Sequence, residues 1–134
     1  GEVSTTSIYW ILIGTNDLYD NCTPEGLVVG IMKLVQNIQE LQPLSTVVVN
    51  GILPRDRLLF QEKIEWINTW FACHYDYVYD PSSVFINDEG NDVDRMRMPD
   101  GLHPSALGYL AWGREVVEKV KQIQDEDVLV QSTP

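Results

Sequence analysis

Two short clusters hold the residue types from which hydrolytic chemistry is built. Asp100-Gly101-Leu102-His103-Pro104 sets a carboxylate three residues before an imidazole. A carboxylate so placed can hold Nδ1–H, fix the tautomer and stabilise the imidazolium formed when Nε2 takes a proton. The same pentapeptide also reads as a loop histidine near a helix start, next to an ordinary turn aspartate. Gly14-Thr15-Asn16-Asp17 is the second cluster. Gly14 lets the backbone turn sharply, and the Asn16 carboxamide is a neutral donor suited to an oxyanion. Gly, Asn and Asp also simply build turns. The other histidine, His74, falls before a candidate strand and reads as a surface or boundary residue.

Alternating strands and helices have to position these clusters. Residues 8–13 are a continuous apolar run closed by Gly14, as expected of a strand buried on both faces. Thr23 offers an N-cap and Pro24 a first helical position. Leu27, Ile31, Leu34, Ile38 and Leu41 then predict an apolar stripe on a helix that ends before Pro43. Residues 46–50 are β-branched and end at Gly51, a second buried strand. Phe60, Ile64, Ile67 and Phe71 repeat the helical spacing, and residues 75–79 predict a third strand. Pro104 is expected to open a last helix with Leu107, Leu110, Ala111, Val117, Val120 and Ile123 inward.

The order β-α-β-α-β-loop-α implies right-handed crossovers and a parallel sheet. Ligands of such sheets bind beyond the carboxyl ends of the strands. Residues 14–17, 51–55 and 80–103 all fall on that edge. The expected fold is a three-layer α/β/α, flavodoxin-like domain.

Taken together, the two clusters resemble the SGNH, or GDSL-type, hydrolases. Gly14-x-Asn16-Asp17 resembles that family's third sequence block, and Asp100-x-x-His103-Pro104 its fifth, in the same order. Gly51-Ile52-Leu53-Pro54-Arg55 is similar to the platelet-activating-factor acetylhydrolase-like branch, and the resemblance spans residues 8–123. It implies Asn16 as oxyanion donor, His103 as general base and Asp100 as the residue that orients it, with Gly14 and Asp17 as motif support.

The family's Gly-Asp-Ser nucleophile block and its second block do not occur in this sequence. Ser4, Ser7 and Ser45 precede strands, at the wrong edge. Ser82 and Ser83 are at the right edge but are expected in a loop, without the strand-to-helix turn that aims a nucleophile. Ser105 adjoins its own supposed base. The family's plan would put the missing block upstream of Gly1, on the sheet's central strand. Residues 1–124 are thus read as the C-terminal part of such a domain, N-terminally incomplete, and residues 125–134 as a polar tail. The upstream segment of the same protein is expected to complete sheet and site.

Composition narrows the function classes. With 134 residues and 44% hydrophobic content, one domain with its own core is expected. Nine Lys and Arg against 20 Asp and Glu give a formal charge of −11, which argues against nucleic acid or an anionic membrane as partner. No apolar run is long enough to span a bilayer. The chain opens at Gly1 with neither Met nor a signal-peptide pattern, and is read as cut from something longer or processed. Cys22 and Cys73 are expected as free thiols, a lean toward a reducing, cytoplasmic compartment.

The acidic stretch 87–94 lacks the spacing of a calcium loop and reads as solvated, with Arg95 and Arg97 balancing it. Arg55 stands at the ligand edge, where it can meet an anionic substrate group, but a surface salt bridge is the expected reading. The tryptophans are expected in core or boundary packing. The expected activity of the intact protein is serine-esterase hydrolysis of a small-molecule, lipid or carbohydrate ester through a Ser-His-Asp triad. No metal and no cofactor are implied, since triad chemistry needs only water. The alternative is a non-catalytic module that keeps the pocket but has lost the nucleophile. A flavodoxin-like nucleotide domain would need a glycine-rich run after Ile13, which is absent.

Overall fold

The computed structural model describes residues 7–12 and 23–132. Its sheet is built around Thr46–Asn50, β2, which takes the bounds that its β-branched run predicts. Ile8–Ile11, β1, pairs with it in parallel, Ile8 opposite Thr46 and Ile11 opposite Val49. Val78–Tyr79, β3, pairs in parallel on the other side, Val49 opposite Val78. The order is therefore β1-β2-β3.

Helices cover both faces. Pro24–Leu41 (α1) and Gln61–His74 (α2) pack on one, Ser82–Phe85 (α3) and Ala106–Ser132 (α4) on the other. The two-residue alternation of strand side chains separates the cores. Val49 joins Ile31, Ile64 and Phe71, whereas Val48 joins Phe85, Met98, Trp112 and Ile123. This is a three-layer α/β/α arrangement. No described helix is long and apolar enough to cross a membrane.

Local chemistry sets the boundaries. Thr23 caps α1, its hydroxyl accepting the Gly26 N–H at 3.0 Å, with Pro24 in the first turn. The third strand is shorter than its sequence suggests: the Tyr75 N–H still donates to the Phe71 carbonyl, so α2 uses the backbone that a longer strand would need.

Two apolar stripes are rotated from their expected positions. On α1 the buried side chains are Leu27, Val28, Ile31 and Val35, while Leu34 and Leu41 are exposed. On α4, Gly108, Trp112 and Ile123 face inward, and Leu107, Leu110 and Val117 face outward. Gly108 decides the second case: a Cβ there would lie 2.2 Å from the Arg97 carbonyl oxygen, so this face of α4 meets backbone directly. The helix continues to Ser132, through much of the segment read from sequence as a tail. Trp66 is exposed rather than packed.

Candidate active site

The Asp100–His103 turn stands between two anchored segments. Upstream, Met98 is fully buried and its N–H donates to the Asp94 carbonyl at 2.8 Å. Downstream, the Ser105 N–H donates to the Arg97 carbonyl at 2.8 Å and its hydroxyl donates to Met96 at 2.7 Å. The same hydroxyl accepts the Gly108 N–H at 3.2 Å, which makes Ser105 the cap of α4. The helix thus begins two residues after Pro104, at Ala106.

Within the turn, Asp100 serves three donors. Oδ1 accepts the Leu102 and His103 N–H groups at 2.8 and 2.7 Å, and Oδ2 meets His103 Nδ1 at 2.7 Å. Gly101 makes this possible at φ +76°, where side-chain-bearing residues are strained. The His103 N–H, then its imidazole, then the Leu102 N–H hold the Asp100 carboxyl well below the usual carboxylate range. An ionised Asp100 favours the tautomer with the proton on Nδ1. His103 Nε2 then points its lone pair outward, without a hydrogen bond among the described residues, on a side chain 73% exposed. Such an imidazole can accept a proton from a group brought to it.

The loop after β2 supports the turn from below. The Asp56 N–H donates to the Gly101 carbonyl at 2.8 Å. Arg57, Leu58 and Phe60 all adopt left-handed backbone, at φ 52°, 54° and 60°. For residues with side chains this costs about 1–3 kcal/mol each, so neighbouring contacts must hold the segment. Asp92 supplies one, its Oδ1 accepting the Arg57 N–H at 2.7 Å. Arg95 bridges the carboxylates of Asp56 and Asp92.

Contrary to the expectation from sequence, Arg55 is not at the surface: it is 2% exposed, with its guanidinium over the Phe60 ring. Left-handed backbone follows it, a feature no sequence pattern signals. Nearby, the Asn68 side chain accepts the Ile52 N–H at 2.7 Å and donates back to the Ile52 carbonyl at 3.3 Å, fixing α2 to this edge.

The remaining expected residues divide clearly. Gly14, Asn16 and Asp17 lie outside the described residues, as does Cys22. His74 is exposed at the end of α2, Nδ1 bonded to the Trp70 carbonyl and its ring stacked on Trp70 at 3.9 Å. Ser82 and Ser83 are not in a loop, because they form the start of α3 directly after β3. Even so, Ser82 opens on a cavity of about 470 Å³ with Gly51, Asn68 and Asp80, which His103 does not line. Asn87 and Asn91 bond within their own turn, and no three His, Cys, Asp or Glu among the described residues converge to hold a metal.

Comparison with known proteins bears on this arrangement. The model of the GDSL-like Lipase/Acylhydrolase family matches residues 5–111. Among solved structures, one from Streptococcus pneumonia, provisionally described as a platelet activating factor, is 23% identical with a TM-score of 0.68. It is matched over 88% of this chain and 59% of its own. A GDSL-like lipase from Bacteroides thetaiotaomicron is 15% identical with the same TM-score, over 90% of this chain and 63% of its own. These likenesses establish the fold, and the chain spans about three fifths of each structure's length. Comparison with curated proteins gives no match.

Proposed function

We propose that this chain, which belongs to the GDSL-like lipase/acylhydrolase family, supplies the base half of a serine esterase site. The observation that supports the reading most is the His103 Nδ1 contact with Asp100 at 2.7 Å, with Nε2 turned to solvent. In the intact protein a serine upstream of Gly1 attacks the carbonyl carbon of a carboxylic ester. His103 Nε2 takes the serine proton as the C–O bond forms, and the ionised Asp100 stabilises the imidazolium. Asn16 donates to the carbonyl oxygen as it gains negative charge. The imidazolium then returns its proton to the departing alkoxide, leaving an acyl-serine. Water attacks that acyl group with His103 again as base. The imidazolium returns the proton to the serine oxygen as the acyl–oxygen bond breaks and the acid departs.

Nothing in this sequence of steps needs a metal or cofactor, and a small-molecule, lipid or carbohydrate ester would each satisfy it. The test replaces each histidine in the intact protein. His103→Ala should lower kcat by about 10²–10⁴-fold, the usual contribution of general-base catalysis. His74→Ala should leave kcat within a factor of about two, since that exposed ring stacks on and bonds to Trp70 of its own helix, away from His103. Equal losses at the two positions would sink the assignment.

A further inference from the structure

We infer that Asp56 and Arg95 form a clamp that sets where His103 stands at the sheet edge; both are positioning residues for the base proposed above. Asp100 fixes the orientation of the imidazole, but it sits in the same four-residue turn and cannot locate that turn in the molecule. Neither side chain is packed in place, Asp100 being 56% and His103 73% exposed. Met98 and Ser105 anchor the chain on either side of the turn, and its middle rests on Asp56, from the loop after β2. The Asp56 N–H bonds to the Gly101 carbonyl, and a Cβ on Gly101 would lie 2.3 Å from the Asp56 Cβ. The two backbones are in direct contact at this point, so displacing Asp56 displaces the turn.

Asp56 in turn leads into the left-handed Arg57 and Leu58, a conformation that does not hold itself. The Arg95 guanidinium joins the Asp56 and Asp92 carboxylates, and Asp92 also accepts the Arg57 N–H. One cation therefore ties the loop after β2 to the loop before the histidine. Removing it would leave two carboxylates facing each other, and their repulsion would open the contact beneath Gly101. The His103–Asp100 bond lies within the turn and would survive. The base would keep its tautomer but lose its place.

These side chains are 45% and 38% exposed, so the pair contributes little to folding and its removal tests position rather than stability. In the intact protein, Arg95→Ala should lower kcat on the order of 10–10²-fold, as expected for a catalytic group misplaced by about an ångström. KM should change little, and the thermal midpoint by no more than a few degrees. The imidazole ¹⁵N shifts should show the proton still on Nδ1. Asp56→Asn should act in the same direction, and the double variant should cost no more than the worse single one. Arg95→Gln, which keeps the first part of the stem and a donor without the charge, serves if Arg95→Ala folds poorly.

Unchanged kcat in both Arg95 variants, with His103→Ala inactive, would overturn the clamp and leave the base assignment standing. Full activity in His103→Ala would overturn both. Additive losses in the double variant, or a lost Nδ1 proton in Arg95→Ala, would also refute the clamp.

Discussion

Gly108 and Gly113 lie five residues apart on α4, and replacing each by alanine should move stability in opposite directions. In a helix interior, alanine is favoured over glycine by about 1 kcal/mol. At Gly113 a new Cβ meets nothing within 4 Å, so the whole gain should appear. At Gly108 the Cβ would stand 2.2 Å from the Arg97 carbonyl oxygen and 3.2 Å from the Phe85 ring. Ordinary contact requires the helix to withdraw by roughly 1 Å or more. The opposing atom is backbone, so no side chain can swing aside. Withdrawal also stretches the Ser105 N–H bond to Arg97 and the Ser105 hydroxyl bond to Met96, each worth about 1 kcal/mol net. Overpacking of this kind costs about 1–3 kcal/mol, and with the strained bonds it outweighs the propensity gain. The two variants should therefore differ by about 3 kcal/mol, or roughly 12 °C in midpoint at about 4 °C per kcal/mol. Thermal melts followed by circular dichroism would measure it. If both alanines stabilise alike, α4 does not sit on the Arg97 carbonyl, and the anchoring described for the His103 turn is wrong.

Other outcomes follow from the same contacts. The chain of 134 residues on its own should hydrolyse p-nitrophenyl acetate no faster than free imidazole; saturable turnover blocked by a fluorophosphonate would show that one of its own serines serves. Asp100 has a depressed folded-state pKa, so its contribution is present above the ordinary carboxylate value of about 3.9 and is lost only as pH falls through the lower one. The hydrogen-bonded Nδ1 proton of His103 should accordingly remain visible by NMR below about pH 4, and its loss at pH 5 would contradict the turn. Tyr79 donates to Glu115 at 2.7 Å, and burial, then that carboxylate, pushes its phenol well above the usual range. Tyr79→Phe should cost about 1 kcal/mol in urea melts, a loss absent if the bond is not made.

The layers were legible in the sequence because their signals are local. The run 46–50 can hardly be anything but a buried strand, and the Thr23-Pro24 pair marks a helix start by its own chemistry. The inward face of α4 was not legible, for a reason that is also local. Leu107, Leu110 and Val117 satisfy helical spacing, yet the sheet takes the face bearing Gly108 and Trp112. Periodicity counts apolar side chains, whereas close approach to a carbonyl rewards having none. Gly108, a glycine among apolar residues in the first turn of the helical pattern, was the signal to read.

Site residues divide along the same line. Asp100 and His103 are three apart, so their contact needs only a turn and a glycine, both written in the chain. Asp56 and Arg95 are 39 residues apart, and nothing in either neighbourhood announces the other. Arg55 was misplaced for a related reason. An arginine beside Asp56 reads as a surface cation, yet with three left-handed residues after it this one is buried against the Phe60 ring. Left-handed backbone in Arg, Leu and Phe has no composition to betray it, since these residues seldom adopt it. It persists here because contacts from Asp92, Arg95 and Gly101 converge on one short segment. Strain held this way collects where the fold must place something, and in this chain it lies directly beneath the histidine turn.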